Sequence, residues 1–349
     1  MKKKITLSDI ARESGTSVST VSRVINKNDL KCASDVTIKK IFKAIQDLGY
    51  ARNDNEQKTE KNKNAVGVIL GSGKEDKYNH SFYSQIYKGL EEKLIQRGFY
   101  IDFYYTTDEL NQNNSVMESI IDSPANSLVV IEELGQNAVE EIKSRYDNVI
   151  NIGMNNLENI KNDFVCVDTY KTTKTMLEKF IKKGLTKIVL MGGGHADYIL
   201  STKPYGDLID ERFLAYRDAI LTNGIELSKD LIYDAEWDPH KAYEIMNDII
   251  NRKVTFDAVF AADDMMAVAC LKALLDNDKK VPQDCMVVGF DDLPISAFSN
   301  PKISTIHIPR YEMGSVAADM LYIKQNNMLE TPVRIVLSCN FEQRDTSNI

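Results

Sequence analysis

A chain of 349 residues with 43% hydrophobic content is too long for one average domain and rich enough in apolar side chains to bury a substantial core. No apolar run approaches the ~18 residues of a membrane span, and the basic opening MKKKITLSDI has no hydrophobic stretch behind it. Neither a membrane-spanning nor a secreted protein is expected, and the chain is placed in the cytoplasm. The formal net charge of −8 argues on its face against nucleic acid, but residues 1–63 hold 14 Lys and Arg against 8 Asp and Glu, and the remainder 29 against 43. A basic head on an acidic body is the asymmetry expected when only one domain meets phosphate.

Residues 1–50 read as a small all-α head of three short helices. Thr6 and Asp9 have capping-box spacing, and Ile10 and Ala11 begin the apolar face of the first helix, which Ser14-Gly15-Thr16 breaks. Ser17 with Thr20 caps a second helix carrying Val21, Val24 and Ile25. Ser34 opens a third, with Ile38, Ile41, Ile45 and Leu48 at helical spacing and Gly49 as its stop. Residues 51–64 form a polar linker, since RNDNEQKTEKNKN from 52 onward contains no apolar side chain to hold it down.

From residue 65 to 349 short apolar runs alternate with amphipathic helical stretches: AVGVIL (65–70), FYIDFYY (99–105), SLVVI (127–131), NVINIG (148–153), KIVLMG (187–192), DAVFAA (257–262) and CMVVGF (285–290). Such repetition predicts an α/β core with parallel sheets and helices on both faces, long enough for two lobes. Cys32, Cys166, Cys270, Cys285 and Cys339 stand far apart with no CxxC pair, and read as reduced thiols filling space.

Two helices joined by a tight glycine-containing turn are the helix-turn-helix, whose second helix enters the DNA major groove. That placement exposes Val18, Ser19 and Arg23 to base edges and turns Val21 and Val24 inward. Arg23 can donate two hydrogen bonds to guanine, Ser19 suits several bases, and Val18 fits a thymine methyl. Thr6, Ser17, Thr20, Ser22 and Asn26 are short polar groups suited to phosphate oxygens. On pattern alone the same residues also fit a small helical bundle with solvated charges.

The run TLSDIARESGTSVSTVSRVIN resembles the N-terminal signature of the lactose/galactose repressor family, and the likeness continues in order through Arg212 in ERFLAYRDAI, Asp263-Asp264 in AADDMMAVACL, VVGFDD, PKISTIHIP, Met313-Gly314 and Arg344-Asp345-Thr346. The resemblance implies a two-lobed core like the periplasmic sugar-binding proteins, with a small sugar in its cleft. It also implies a homodimer on a near-palindromic operator, and a repressor of carbohydrate-utilisation genes released by its effector. Phe82-Tyr83 and the DERFLAYRDAI run are similar to the galactoside-responsive members.

By matching motif positions, Arg212, Asp263 and Asp291 are the candidates for sugar hydroxyls and Trp237 and Phe82 for stacking on the sugar face. Each also has a plainer reading: Trp237 as a lobe-edge residue, Asp263-Asp264 as helix caps, Asp291-Asp292 as a strand end. Asp263 departs from the family's usual Asn, and an ionised carboxylate accepts hydrogen bonds without donating them. A second departure follows Tyr50, where Ala51-Arg52-Asn53 replaces the Pro-Asn that opens the family's hinge helix and no leucine wedge appears. Arg52, Lys58, Lys61 and Lys63 are expected to act by phosphate attraction instead.

Gly192-Gly193-Gly194-His195 lacks the GxxxxGK(S/T) and GxGxxG spacings and reads as a strand-to-helix turn. There is no GxSxG or HExxH, and the four histidines are scattered. No enzyme, cofactor or metal site is expected. A transport-type sugar-binding protein shares the two-lobe fold but would not carry the basic helical head.

Overall fold

The computed structural model describes residues 6–26, 33–34, 37, 40–41, 43–44, 61–71, 81–112, 114–132, 142, 144–154, 163–193 and 210–349. It divides into two units, Met1–Glu60 and Lys61–Ile349.

In the first unit, α1 (Leu7–Ser14) opens with a complete capping box: the Asp9 amide donates to Thr6 Oγ1 and the Thr6 amide to Asp9 Oδ2 (2.9 Å). Gly15 ends it at φ 65°, a left-handed conformation that glycine adopts without steric cost. Helix α2 (Val18–Asn26) starts where the Thr20 amide donates to Ser17 Oγ at 3.1 Å. Ile10, Ala11, Val21, Val24, Ile41 and Ala44 share one small core. Residues 37, 40–41 and 43–44 are helical, and the Thr37 amide donates to Ser34 Oγ. Ile38, Ile45, Leu48, Gly49, Cys32 and residues 51–60 lie outside the described residues.

The second unit holds two six-stranded sheets. The first runs in the order β11-β5-β4-β3-β1-β2, built from β1 (Asn62–Leu70), β2 (Tyr100–Thr106), β3 (Ala125–Ile131), β4 (Asn148–Gly153), β5 (Asp163–Val167) and β11 (Arg334–Leu337). The second runs β12-β10-β9-β8-β6-β7, from β6 (Ile188–Gly192), β7 (Ile232–Asp234), β8 (Ala258–Ala261), β9 (Met286–Asp291), β10 (Ser304–His307) and β12 (Asn340–Glu342). Among the described pairings all are parallel except β10 with β12. Each of the seven apolar runs is a strand. Strand β1 begins at Asn62, inside the stretch read as linker, because pairing needs only backbone: the Asn62 amide donates to Pro124 O at 2.7 Å, and the Lys61 side chain adds a bond from Nζ to Arg145 O, also 2.7 Å.

Helix α3 (Ser81–Gln96) covers the first sheet, and α4 (Thr107–Gln112) and α5 (Asn114–Asp122) follow β2. Helix α6 (Thr169–Lys182) packs on α7 (Glu211–Thr222), with α8 (Pro239–Asn251), α9 (Asp264–Asp276) and α10 (Pro294–Phe298) completing the second lobe. Helix α11 (Arg310–Gln325) returns to the first lobe and packs on α3, β4 and β5. There the backbones nearly touch: a Cβ on Gly314 would stand 2.0 Å from Ile86 O, and one on Gly89 2.0 Å from Tyr311 O. The chain therefore passes between lobes after β5, before α11 and between β11 and β12.

Asp264, at the start of α9, is a fully buried strut of the second lobe. It accepts from Thr305 Oγ1 on β10 and from the Leu293 amide, each at 2.6 Å, and a Cβ on Gly289 would collide with it at 2.3 Å. Burial, reinforced by Asp291 and Asp292 and opposed by its two hydrogen bonds, pushes its pKa up to about 8. The folded chain thus binds this proton more tightly than the unfolded chain. The stability it contributes is full below about pH 4 and is lost progressively as pH rises to about 8. Thermal unfolding of wild type and Asp264→Asn from pH 5 to 8.5 should show a steeper decline in wild type; parallel curves would contradict the assignment.

Candidate functional site

In the head, the outer face of α2 presents Val18, 45% exposed, with exposed Ser19 and Arg23, while Val21 and Val24 are buried. Ser17 is engaged within the chain, its Oγ lying 2.8 Å from both Ser19 Oγ and Thr20 Oγ1. Thr6 is exposed and tied to Asp9, Ser22 is half-buried, and Asn26 is the last residue of α2. The three base-reading candidates are therefore all exposed on α2, within about one and a half turns, and the phosphate candidates Thr6 and Ser17 sit at the N-termini of the two helices, where backbone amides also favour anions.

In the core, the effector candidates gather at the carboxyl ends of the second sheet, the usual ligand position in open α/β folds. Arg212, in the first turn of α7, is held by Asp210, the N-cap of that helix: Nε lies 2.9 Å from Oδ1, Nη2 2.8 Å from Oδ2, and Nη1 donates to Ala262 O at 2.7 Å. Its guanidinium lies 4.8 Å from the Trp237 ring centroid and 5.1 Å from that of Phe290. Burial would lower its pKa, but Asp210 foremost, then Asp291 and Asp263, hold it above its ordinary value. Among the described residues, three of its five N–H groups are engaged.

Trp237 is 45% exposed and sits at φ 59° in the turn before α8. Its indole lies against Gly193, where a Cβ would stand 2.0 Å from Cδ2, so the glycine run after β6 makes room for an aromatic plate. Gly194 and His195 lie outside the described residues. Asp263 caps α9 by accepting from the Met266 amide at 2.6 Å. Asp291 ends β9 at φ 100°, rare for a residue with a side chain, and is buried with Oδ1 unpartnered among the described residues. Its burial, with Asp263 and Asp210 nearby and against the pull of Arg212 and Arg310, raises its pKa to about 7.

Phe82 is the outlying member. It is 5% exposed on α3, and its ring meets the Arg310 guanidinium at 5.7 Å and Tyr83 edge-on at 5.2 Å. The structure thus stacks Arg212 on Trp237, brings Asp263 and Asp291 within its electrostatic reach, and leaves Phe82 against Arg310. Sequence reasoning missed Arg310 and Asp210. Asp210 could have been found as a helix-capping residue two positions before Arg212, whereas Arg310 follows Pro309 with no local signal. Asp292 is taken up by Arg344 Nη2 (2.6 Å) and His307 Nδ1 (2.8 Å).

Among the described residues, no group of His, Cys, Asp and Glu is placed to hold a metal ion and no helix is long and apolar enough to cross a membrane. Burial pushes the Cys166 and Cys339 thiols up to about 11.

Residues 6–53 match the bacterial regulatory proteins of the lacI family, and residues 177–347 a periplasmic binding protein-like domain. The ribose operon repressor of Escherichia coli (strain K12) is 26% identical over 337 residues, covering 94% of this chain and 97% of that protein. Catabolite control protein A of Streptococcus mutans is 25% identical, covering 98% of each. The solved CelR–cellobiose complex superposes with a TM-score of 0.70 at 23% identity, covering 98% of this chain and 100% of that one. The lac repressor dimer bound to operator and the anti-inducer ONPF gives 0.64 at 20% identity, covering 99% of each. With both parts matched in order along the chain, this protein belongs to the lacI family of bacterial regulatory proteins.

Proposed function

We propose that this DNA-binding transcriptional regulator is a homodimeric repressor of carbohydrate-utilisation genes, released from its operator when a small sugar enters the cleft at the carboxyl ends of the second sheet. The observation that carries the sugar reading is the combination of a half-exposed indole, the Arg212 guanidinium beneath it with three of five N–H groups engaged among the described residues, and the buried Oδ1 of Asp291, unpartnered among the described residues. Aromatic faces pack on sugar C–H surfaces, and bidentate polar groups fix hydroxyls. Relatives named for ribose and a solved neighbour bound to cellobiose support the same class; a galactoside is the member we favour.

Asp263, Asp291 and Arg212 take hydroxyls, and Trp237 and Phe82 supply apolar contact. On DNA, Arg23, Ser19 and Val18 read bases, and Thr6, Ser17, Thr20, Ser22 and Asn26 hold phosphates. A second copy of the chain is the partner suited to the apolar surface on adjoining helices α9 and α10, where Met265 and Ile295 are exposed and Phe298 is 84% exposed. Effector binding changes operator affinity by the effector's differential affinity for two states of the lobes.

Trp237 is the only tryptophan in the chain, so its emission reports the cleft. Titration with galactose, lactose, cellobiose and ribose should shift that emission for one of them, and the same sugar should release the protein from its upstream DNA in fluorescence anisotropy. A sugar that shifts emission without altering DNA binding would contradict the repressor mechanism. Arg23→Gln should weaken operator binding by about 1–3 kcal/mol and relax preference at one base pair; a uniform loss across all sequences would make Arg23 a phosphate contact.

A further inference from the structure

Two buried polar atoms, one at the end of β9 in the second lobe and one at the start of α11, which packs on the first, have no partner among the described residues: Asp291 Oδ1 and Arg310 Nη1. Arg310, 8% exposed, is the first residue of α11 and stands at the second crossing between lobes. Its Nη2 donates to Asp292 O at 2.9 Å, and its guanidinium lies over Phe82 of the first lobe. Asp291 and Arg310 each feel the other's charge. Yet no ion pair within 4.0 Å joins them, although a direct contact would satisfy both. The neighbouring Asp292 carboxylate offers no alternative, being held by Arg344 and His307.

A buried guanidinium N–H requires an acceptor and a buried carboxylate oxygen a donor, and leaving either unmet is costly. One group supplies both at a single atom: a hydroxyl, which accepts through its oxygen while donating its hydrogen. A phosphate or carboxylate would satisfy Arg310 but set negative charge against Asp291 and Asp263. An ammonium would satisfy Asp291 and repel Arg310.

We propose that Arg310 is a specificity-determining effector contact: one hydroxyl of a neutral sugar accepts a hydrogen bond from Arg310 Nη1 and donates one to Asp291 Oδ1, fastening the first lobe to the second. The inference rests on the sugar reading above and adds a residue, a ligand group and a role in closure. An uncharged polyol is the effector, and phosphorylation at that hydroxyl abolishes binding.

The test is calorimetric titration of the full-length protein and of Arg310→Met with galactose, cellobiose and ribose, and then with the monodeoxy derivatives of whichever binds. Wild type should lose about tenfold or more in affinity for one deoxy sugar, and Arg310→Met should lose about as much for the parent sugar and no longer distinguish that deoxy form. Wild-type affinity in Arg310→Met, or retained discrimination, overturns the inference and leaves the sugar reading standing. No binding of any sugar to wild type overturns the sugar reading, and this inference with it. Should Arg310→Met fail to fold, a crystal structure of the wild-type complex decides: a sugar oxygen within about 3.2 Å of both atoms is expected, and its absence overturns the proposal.

Discussion

Four carboxyl groups, Asp263, Asp264, Asp291 and Asp292, meet where strands β8 and β9 end, and like charges in a poorly solvated place cannot stand together without partners. The fold resolves the crowding by giving each a different environment. Asp264 is buried and raised to about 8, bound to Thr305 and the Leu293 amide. Asp292 is tied to Arg344 and His307, whose hydrogen bonds overcome burial and hold it below its ordinary value. Asp263 caps a helix. Of the four, Asp291 alone keeps a buried oxygen unengaged among the described residues, at a strained backbone angle and within the field of Arg212. In the function proposed above, the three satisfied groups are the scaffold and Asp291 is the one left for the effector.

The same region is where the lobes communicate. Because the chain crosses between them at separate points, after β5, before α11 and between β11 and β12, relative motion is confined to bending about those crossings. Helix α11 is rooted in the first lobe by backbone contacts so close that only glycine fits at 89 and 314. Its first residue, Arg310, nevertheless bonds to the second lobe at Asp292. A ligand group engaging Arg310 and Asp291 together therefore acts on the bending coordinate itself rather than on one lobe alone.

Much of this architecture is legible in the sequence. Six of the seven apolar runs are interior strands, covered on both faces and tolerant of few polar residues, and the seventh is the edge strand β2. Thr6, Asp9 and Gly15 mark the first helix because caps are local hydrogen-bonding problems with local solutions. The short strands β7, β10, β11 and β12 escape because three or four residues bounded or broken by polar side chains carry no distinctive pattern, and β11 and β12 exist only through pairing with distant segments, whereas β5 is as long and as buried as β6 and its FVCV run is legible. The effector candidates Arg212, Trp237, Asp263 and Asp291 come from motif order. Arg310 is invisible in that way, since its importance comes from Phe82 and Asp292, which are remote in sequence. The plainer readings of Asp263 as a cap and of Asp291 as a strand end are also true of the structure, and they coexist with the ligand reading: Asp263 caps through Oδ1, and Asp291 ends a strand with Oδ1 still to be satisfied.

The central claim is that the sugar cleft and the operator-reading head share one equilibrium. Linkage makes the claim quantitative, because an effector that changes operator affinity by some factor must have its own affinity changed by operator in the same factor. Measuring sugar affinity through Trp237 emission with and without saturating operator DNA, and operator affinity with and without saturating sugar, compares the two directly. Equal factors of about 5 to 150 are predicted. A sugar that binds with the same affinity on and off operator would contradict the account.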